Sequence, residues 1–353
     1  MTKKIKTDLL VIGAGAGGLS VAAGAAQLGI KVILLEGDKM GGDCLNYGCV
    51  PSKALISFSS QKKPKQFGEA MSFVKQAIKE IEPHDSEERF RSLGVNVIRE
   101  YGRFVDEKTV AAGAYEIQSR RIVIATGVYT PVPEINGLSD VHYYTNQSIF
   151  DLEQKPEHLL ILGGGPVGVE LAQAFTRLGI KVTVFEKQKI LSNFNREHVE
   201  LLRSNLENDG VNLKEEASIK DISQVGNKLT IQLENSDKIT GSHLLVATGK
   251  KPNLQNLNLQ AAGINFSDIG IETDQYLRTN NKKIYAAGLD VFNNEPNLDK
   301  RYTKLDNCFV LPHIGSATHE TRLAMSMMAV DNIYCFFNYG IILFWANDKL
   351  SFN

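Results

Sequence analysis

Apolar and polar positions fall into blocks that repeat along this chain. A lysine-rich start gives way to the apolar run "LLVI". Glycines follow, then the Ala-rich stretch "LSVAAGAAQ", then a second apolar run in "KVILLE". That order predicts a strand, a tight turn, a helix and a second strand. The same order returns in "EHLLILGGGPVGVELAQAFTRLGIKVTVFEK". Two such units predict an α/β protein with two Rossmann-like dinucleotide-binding domains. Lysines ahead of an apolar run also mark signal peptides, but here the run is short and enters a glycine turn, so it reads as a strand. Near the other end, "IYCFFNYGIILFWA" is the most apolar stretch. Asn338 interrupts it, and it is shorter than the roughly 20 residues a membrane span requires. It reads as a partly buried helix or a tail, with no membrane role.

Composition narrows the function classes. At 353 residues the chain is long enough for two or three domains. A net charge of −1 gives no electrostatic reason to expect nucleic acid or an anionic membrane as partner. The short basic piece "QKKPKQ", broken by Pro64, reads as a solvated loop. Four cysteines with no export signal point to the cytoplasm, where a disulfide is more often catalytic than structural. Cys308 and Cys335 stand among apolar neighbours and read as packing residues.

Each glycine motif carries its own chemistry. In the first unit Gly13, Gly15 and Gly18 form GxGxxG and Glu36 closes the second strand. The first glycine permits the turn, the second admits a pyrophosphate to the backbone, and the third lets the helix pack on the strand. The helix N-terminus offers N–H groups to phosphate, and the acid can accept from a ribose. Gly163, Gly165, Gly168 and Glu186 repeat the arrangement. Two sites imply two bound dinucleotides, or one site and a degenerate duplicate. An acid at Glu186 favours a free 2′-hydroxyl over a 2′-phosphate, hence NAD(H) over NADP(H), although Lys187 follows directly.

Between the units lies "MGGDCLNYGCVPSKALI", with Cys44 and Cys49 bracketed by Gly42, Gly48 and Pro51. The residues after Pro51 read as helical, and cysteines at a helix start favour the thiolate. A disulfide closing so small a loop would be strained and labile. Half a metal site or two separate thiols are the alternatives. No second Cys or His pair follows at ligand spacing, which disfavours structural zinc.

The segment "GGDCLNYGCVPSK" resembles the active-site stretch of the flavin-dependent pyridine nucleotide–disulfide oxidoreductases, on the side of dihydrolipoamide dehydrogenase and mercuric reductase. "RRIVIATGVYTPVP", "HLLVATGKKPN" and "LRTNNKKIYAAG" resemble later segments of that family in order. The resemblance covers about residues 5–288 and implies an FAD domain with an inserted NAD domain. The first part of the FAD domain would run over 1–150, the NAD domain over 151–270, and the return over 271–288. It implies that Cys44 exchanges with a small-molecule disulfide and that Cys49 lies against the flavin. Lys53 would sit near the flavin N5 and pair with Glu170. Gly42, Asp43, Gly102, Ala125, Thr126 and Gly127 would contact FAD, and Gly249 would line the nicotinamide side.

Past "AAG" the pattern changes. Leu289 precedes the acid Asp290, which would take the place of the family's flavin-binding aspartate. Then "AAGLDVFNNEPNLDKRYTKLDNCFVLPHIGSATHETRLAMSMMAVDNI" resembles the C-terminus of D-2-hydroxyacid dehydrogenases, in which a His and a Glu form an acid–base pair. Here these are His313 and Glu295. The reading is thus a family member whose dimerisation domain is replaced over 289–353 by a foreign α/β fragment, truncated and impaired, with the family's homodimer in doubt. A D-2-hydroxyacid dehydrogenase, or a non-catalytic FAD/NAD-binding fusion product, are the alternatives.

Overall fold

A computed structural model describes residues 2–61, 66–274 and 277–286. Asp290, Glu295, His313 and the whole of 289–353 lie outside the described residues.

The first unit runs β1 (Lys3–Ile12), α1 (Ala16–Gln27), β2 (Val32–Leu35), α2 (Gly42–Asn46), α3 (Cys49–Ser59), α4 (Phe67–Asp85), α5 (Glu87–Ser92), β3 (Asn96–Ile98), β4 (Arg103–Phe104), β5 (Thr109–Ala112) and β6 (Tyr115–Ile124). All four residues of β2 are buried, as suits a parallel strand covered on both faces. The sheet order is β3-β2-β1-β6-β5-β4, and β1 pairs with β6 from Lys3↔Tyr115 to Ile12↔Ile124. One face packs Val11, Val32 and Leu34 against Leu19 and Ala22 of α1 and Phe90 of α5. The other packs Leu10, Ile12, Ile33 and Leu35 against Phe104, Val110 and Ile117.

After β7 (Val128–Tyr129) the second unit runs β8 (His158–Leu162), α6 (Pro166–Arg177), β9 (Lys181–Phe185), α7 (Arg196–Asp209), β10 (Asn212–Lys214), β11 (Ile219–Val225), β12 (Lys228–Leu233), β13 (Lys238–Gly241) and β14 (His243–Val246). Its parallel sheet has the order β10-β9-β8-β14. Alternate residues of β8 face opposite ways, as a strand requires. Leu160 and Leu162 meet Ile222, Leu229 and Ile231 of the antiparallel β11-β12-β13 layer. Leu159 and Ile161 share a core with Leu171 and Phe175 of α6, and also with Leu55 of α3 and Met71 and Val74 of α4. The helices after the cysteines therefore pack on the second sheet.

The chain returns through β15 (Lys251–Pro252), which pairs antiparallel with β7, then β16 (Phe266–Ser267), β17 (Gly270–Ile271) and β18 (Ile284–Ala286). β18 pairs in parallel with the end of β6, Ile284↔Ile122 to Ala286↔Ile124, so "KKIYA" rejoins the first sheet. Sequence reading divides the chain at 150 and 270. Leu138 and Val141 pack with Leu160 and Leu244, and Leu257, Leu259 and Ile264 pack with Phe104 and Ile117. No motif marks these contacts.

Candidate active site

The two glycine turns are built alike, bond for bond. Gly13 N–H donates to Leu35 O at 2.9 Å and Ala125 N–H to Ile12 O at 2.8 Å. In the second unit Gly163 N–H donates to Phe185 O at 2.8 Å and Ala247 N–H to Leu162 O at 2.7 Å. Gly13 and Gly163 hold φ of +105° and +109°, which side-chain-bearing residues rarely adopt. A Cβ at Gly18 would lie 1.9 Å from Gly13 O, and one at Gly168 would lie 2.0 Å from Gly163 O. These glycines hold helix against turn. By contrast, a Cβ at Gly165 would meet nothing within 4 Å, and one at Gly15 only Gly42 Cα at 3.9 Å. The helix N-termini behind them are open for a phosphate to approach.

The acids behave alike too. Glu36 accepts from Ala14 N–H at 2.7 Å and Asp38 N–H at 2.8 Å. Glu186 accepts from Gly164 N–H at 2.7 Å and Gln188 N–H at 2.9 Å. Each carboxylate keeps lone pairs for a ribose hydroxyl. Gly127 and Gly249 follow the two Ala-Thr pairs, and a Cβ on either would meet nothing within 4 Å. This donor set fits a dinucleotide at each cradle.

The cysteine segment is stitched to the first cradle by Gly41 and Gly42. Gly41 N–H donates to Ala14 O at 2.9 Å, and a Cβ on Gly42 would sit 2.6 Å from Gly15 Cα. Half-buried Cys44 lies on α2, and Cys49, buried, is the first residue of α3. The helix thus starts at Cys49, two residues before Pro51, which occupies a first-turn position where its missing N–H costs nothing. One turn on, Lys53 Nζ lies 2.8 and 2.7 Å from the two carboxylate oxygens of Glu170 on α6. This ion pair ties the cysteine helix to the helix of the second cradle.

Sequence reasoning missed a second tie. Asp43 accepts from Asn146 Nδ2 at 2.9 Å, and its carboxylate lies 3.4 Å from Lys250 Nζ. Asn146 is buried and accepts from Thr130 Oγ1 at 2.7 Å. The position of Lys250 just after the second Ala-Thr-Gly could have flagged it; nothing in the sequence flags Asn146. Gly102 has a packing reason of its own, since a Cβ there would lie 2.9 Å from Leu35 Cδ1. Among the described residues no cluster of three or more His, Cys, Asp or Glu could hold a metal ion, and no helix is long and apolar enough to cross a membrane.

Two acid-terminated glycine cradles are thus bridged by a helix that begins with one cysteine of a pair. The sequence profile of the pyridine nucleotide-disulphide oxidoreductases matches residues 7–304, and the chain belongs to that family of FAD-dependent enzymes. The match continues past residue 288, into the stretch that sequence reading likens to hydroxyacid dehydrogenases. A mercuric reductase of Staphylococcus aureus is 33% identical over 301 residues, covering 80% of this chain and 55% of that protein. A dihydrolipoyl dehydrogenase of the same species is 31% identical over 307 residues, covering 80% and 65%. The HOCl-induced flavoprotein disulfide reductase RclA of Escherichia coli superposes with a TM-score of 0.76 at 27% identity, covering 89% of this chain and 73% of RclA. The chain spans about half to two-thirds of the length of the curated relatives it matches.

Proposed function

We propose that this chain carries the nucleotide-binding and redox-cysteine portion of an NADH-dependent disulfide reductase acting on a small disulfide. The observation that carries the reading is α3. It opens with Cys49 beside the first cradle, and its next turn is bound through Lys53 to Glu170 of the second. FAD held at the first cradle would supply two-electron chemistry between a nicotinamide hydride and the Cys44–Cys49 pair. Cys44, the more exposed thiol, attacks the substrate disulfide as thiolate and releases one thiol, leaving a mixed disulfide. Cys49 then attacks the Cys44 sulfur and releases the second thiol. The Cys44–Cys49 disulfide that remains takes up the next pair of electrons. In balance, NADH, one proton and a disulfide give NAD⁺ and two thiols.

The Lys53–Glu170 pair holds a fixed charge arrangement beside the relay and keeps α3 in register with α6. Glu186 supports NADH over NADPH, because a 2′-phosphate would meet its carboxylate. By the same resemblance, Gly42, Gly102, Ala125, Thr126 and Gly127 would contact FAD and Gly249 would line the nicotinamide side. Copurification of a yellow chromophore, its anaerobic bleaching by NADH, and a long-wavelength band absent from Cys49→Ser test the reading. NADH oxidation driven by a small disulfide, against mercuric ion as the competing substrate, tests the substrate class. Flavin-free protein that takes up no added FAD overturns it.

A further inference from the structure

Asp43 is the acid on α2, the short helix that carries Cys44. It immediately precedes Cys44. Its Oδ2 lies so near Gly48 that a Cβ there would be 3.1 Å away, and Gly48 caps the helix that Cys49 opens. A carboxylate in this position opposes thiolate formation on both cysteines. The second unit answers it. Lys250 Nζ stands 3.5 and 3.4 Å from the two oxygens of Asp43, and Asn146 Nδ2 donates to Oδ1 at 2.9 Å and to Tyr47 O at 3.3 Å. Asn146 is 4% exposed, so the donor is held in place.

Other charged groups near α2 meet partners of their own. From α3, Lys53 is neutralised by Glu170. From α4, Asp85 packs over Gly41, and burial raises its pKa above the ordinary carboxyl value against the pull of Arg89 and His84. Before α2, Lys39 lies over the Tyr47 ring while Asp38 meets the Tyr47 hydroxyl at 3.5 Å, and Glu36 is bound by backbone N–H groups. Among the described residues, Lys250 is the cation paired with Asp43.

The geometry points to Lys250 as a positioning residue for the redox pair: it neutralises Asp43 and thereby keeps Cys44 reactive at neutral pH. The inference deepens the disulfide-reductase reading and rests on it for its meaning. Its test does not depend on flavin. Reduced full-length protein is alkylated with iodoacetamide across pH 5–10 without NADH, and Cys44 is followed by peptide mass spectrometry; flavin content is read separately by absorbance.

Lys250→Met is expected to slow Cys44 alkylation at pH 7 by roughly three- to tenfold and to move the rate profile to higher pH, the effect of one uncompensated nearby charge. Lys250→Arg restores the profile. So does Asp43→Asn placed in the Lys250→Met background, because the isosteric amide still accepts from Asn146 without the charge. Asp43→Asn alone moves the profile to lower pH and supplies the answer if Lys250→Met does not fold. An unchanged profile in Lys250→Met or in Asp43→Asn overturns the inference, as does a double variant as slow as Lys250→Met. Absence of flavin with these shifts intact would sink the reductase reading and leave the charge pin standing.

Discussion

Gly15 and Gly18 stand three residues apart in one motif, yet alanine at each should do opposite things. At Gly18 the new Cβ would lie 1.9 Å from Gly13 O, more than an ångström inside the 3.0 Å that such contacts do not cross. The obstacle is backbone, so α1 must move off the turn. Overpacking of this kind costs about 1–3 kcal/mol, and a rigid obstacle places it at the upper end. Alanine's helix propensity returns about 1 kcal/mol, leaving a net loss of about 2 kcal/mol. At Gly15, φ of −79° suits alanine and the Cβ meets only Gly42 Cα at 3.9 Å. The loss of a glycine cap is offset by reduced freedom of the unfolded chain, each worth about 0.5–1 kcal/mol. Urea unfolding of flavin-free protein should therefore show Gly18→Ala about 2 kcal/mol less stable, a melting shift of about 4–8 °C for a unit of this size, with Gly15→Ala near wild type. Using flavin-free protein removes stabilisation by ligand. In FAD titrations the order reverses: the Gly15→Ala methyl stands where the pyrophosphate approaches and should weaken binding at least about tenfold, or 1.4 kcal/mol. Equal destabilisation by the two variants would refute the packing argument. Wild-type FAD affinity in Gly15→Ala would refute the phosphate argument.

Three further outcomes follow from other parts of the structure. Lys53 and Glu170 are only 26% and 36% exposed, so a double-mutant cycle of Lys53→Met and Glu170→Gln should give a coupling of about 1–2 kcal/mol, between surface and buried pairs. A coupling near zero would show that α3 and α6 are held by apolar packing alone. Wild-type protein should bind NADH at least about tenfold more tightly than NADPH, and Glu186→Ser should shrink that ratio, measured by nucleotide fluorescence. Burial lowers the pKa of His158 and of His243, with Lys181 and His142 respectively adding to it. A depressed imidazole pKa means the unfolded chain takes up more protons, so stability is full above the ordinary value of 6.5 and is lost as pH falls through it. The urea midpoint should drop between pH 7.5 and 5.5, and the variant carrying both His158→Gln and His243→Gln should drop less; an equal drop in the two proteins rules out this source.

Much of this protein was legible without coordinates. The apolar runs, the glycine spacing and the closing acids specify both βαβ units, because phosphate approach and helix–strand contact leave few residue choices at fixed offsets. The same local logic marked Cys44 and Cys49. Family resemblance, and not spacing, supplied Lys53 and Glu170, which stand 117 positions apart. What the sequence could not place was the Asp43–Asn146–Lys250 tie, which depends on which surfaces meet once both sheets are built. Asn146 lies in a stretch with no motif, and it is buried where Asp43, Tyr47 and Thr130 meet. Local chemistry is written in short-range order, whereas the charges that face a site across two units are chosen by packing.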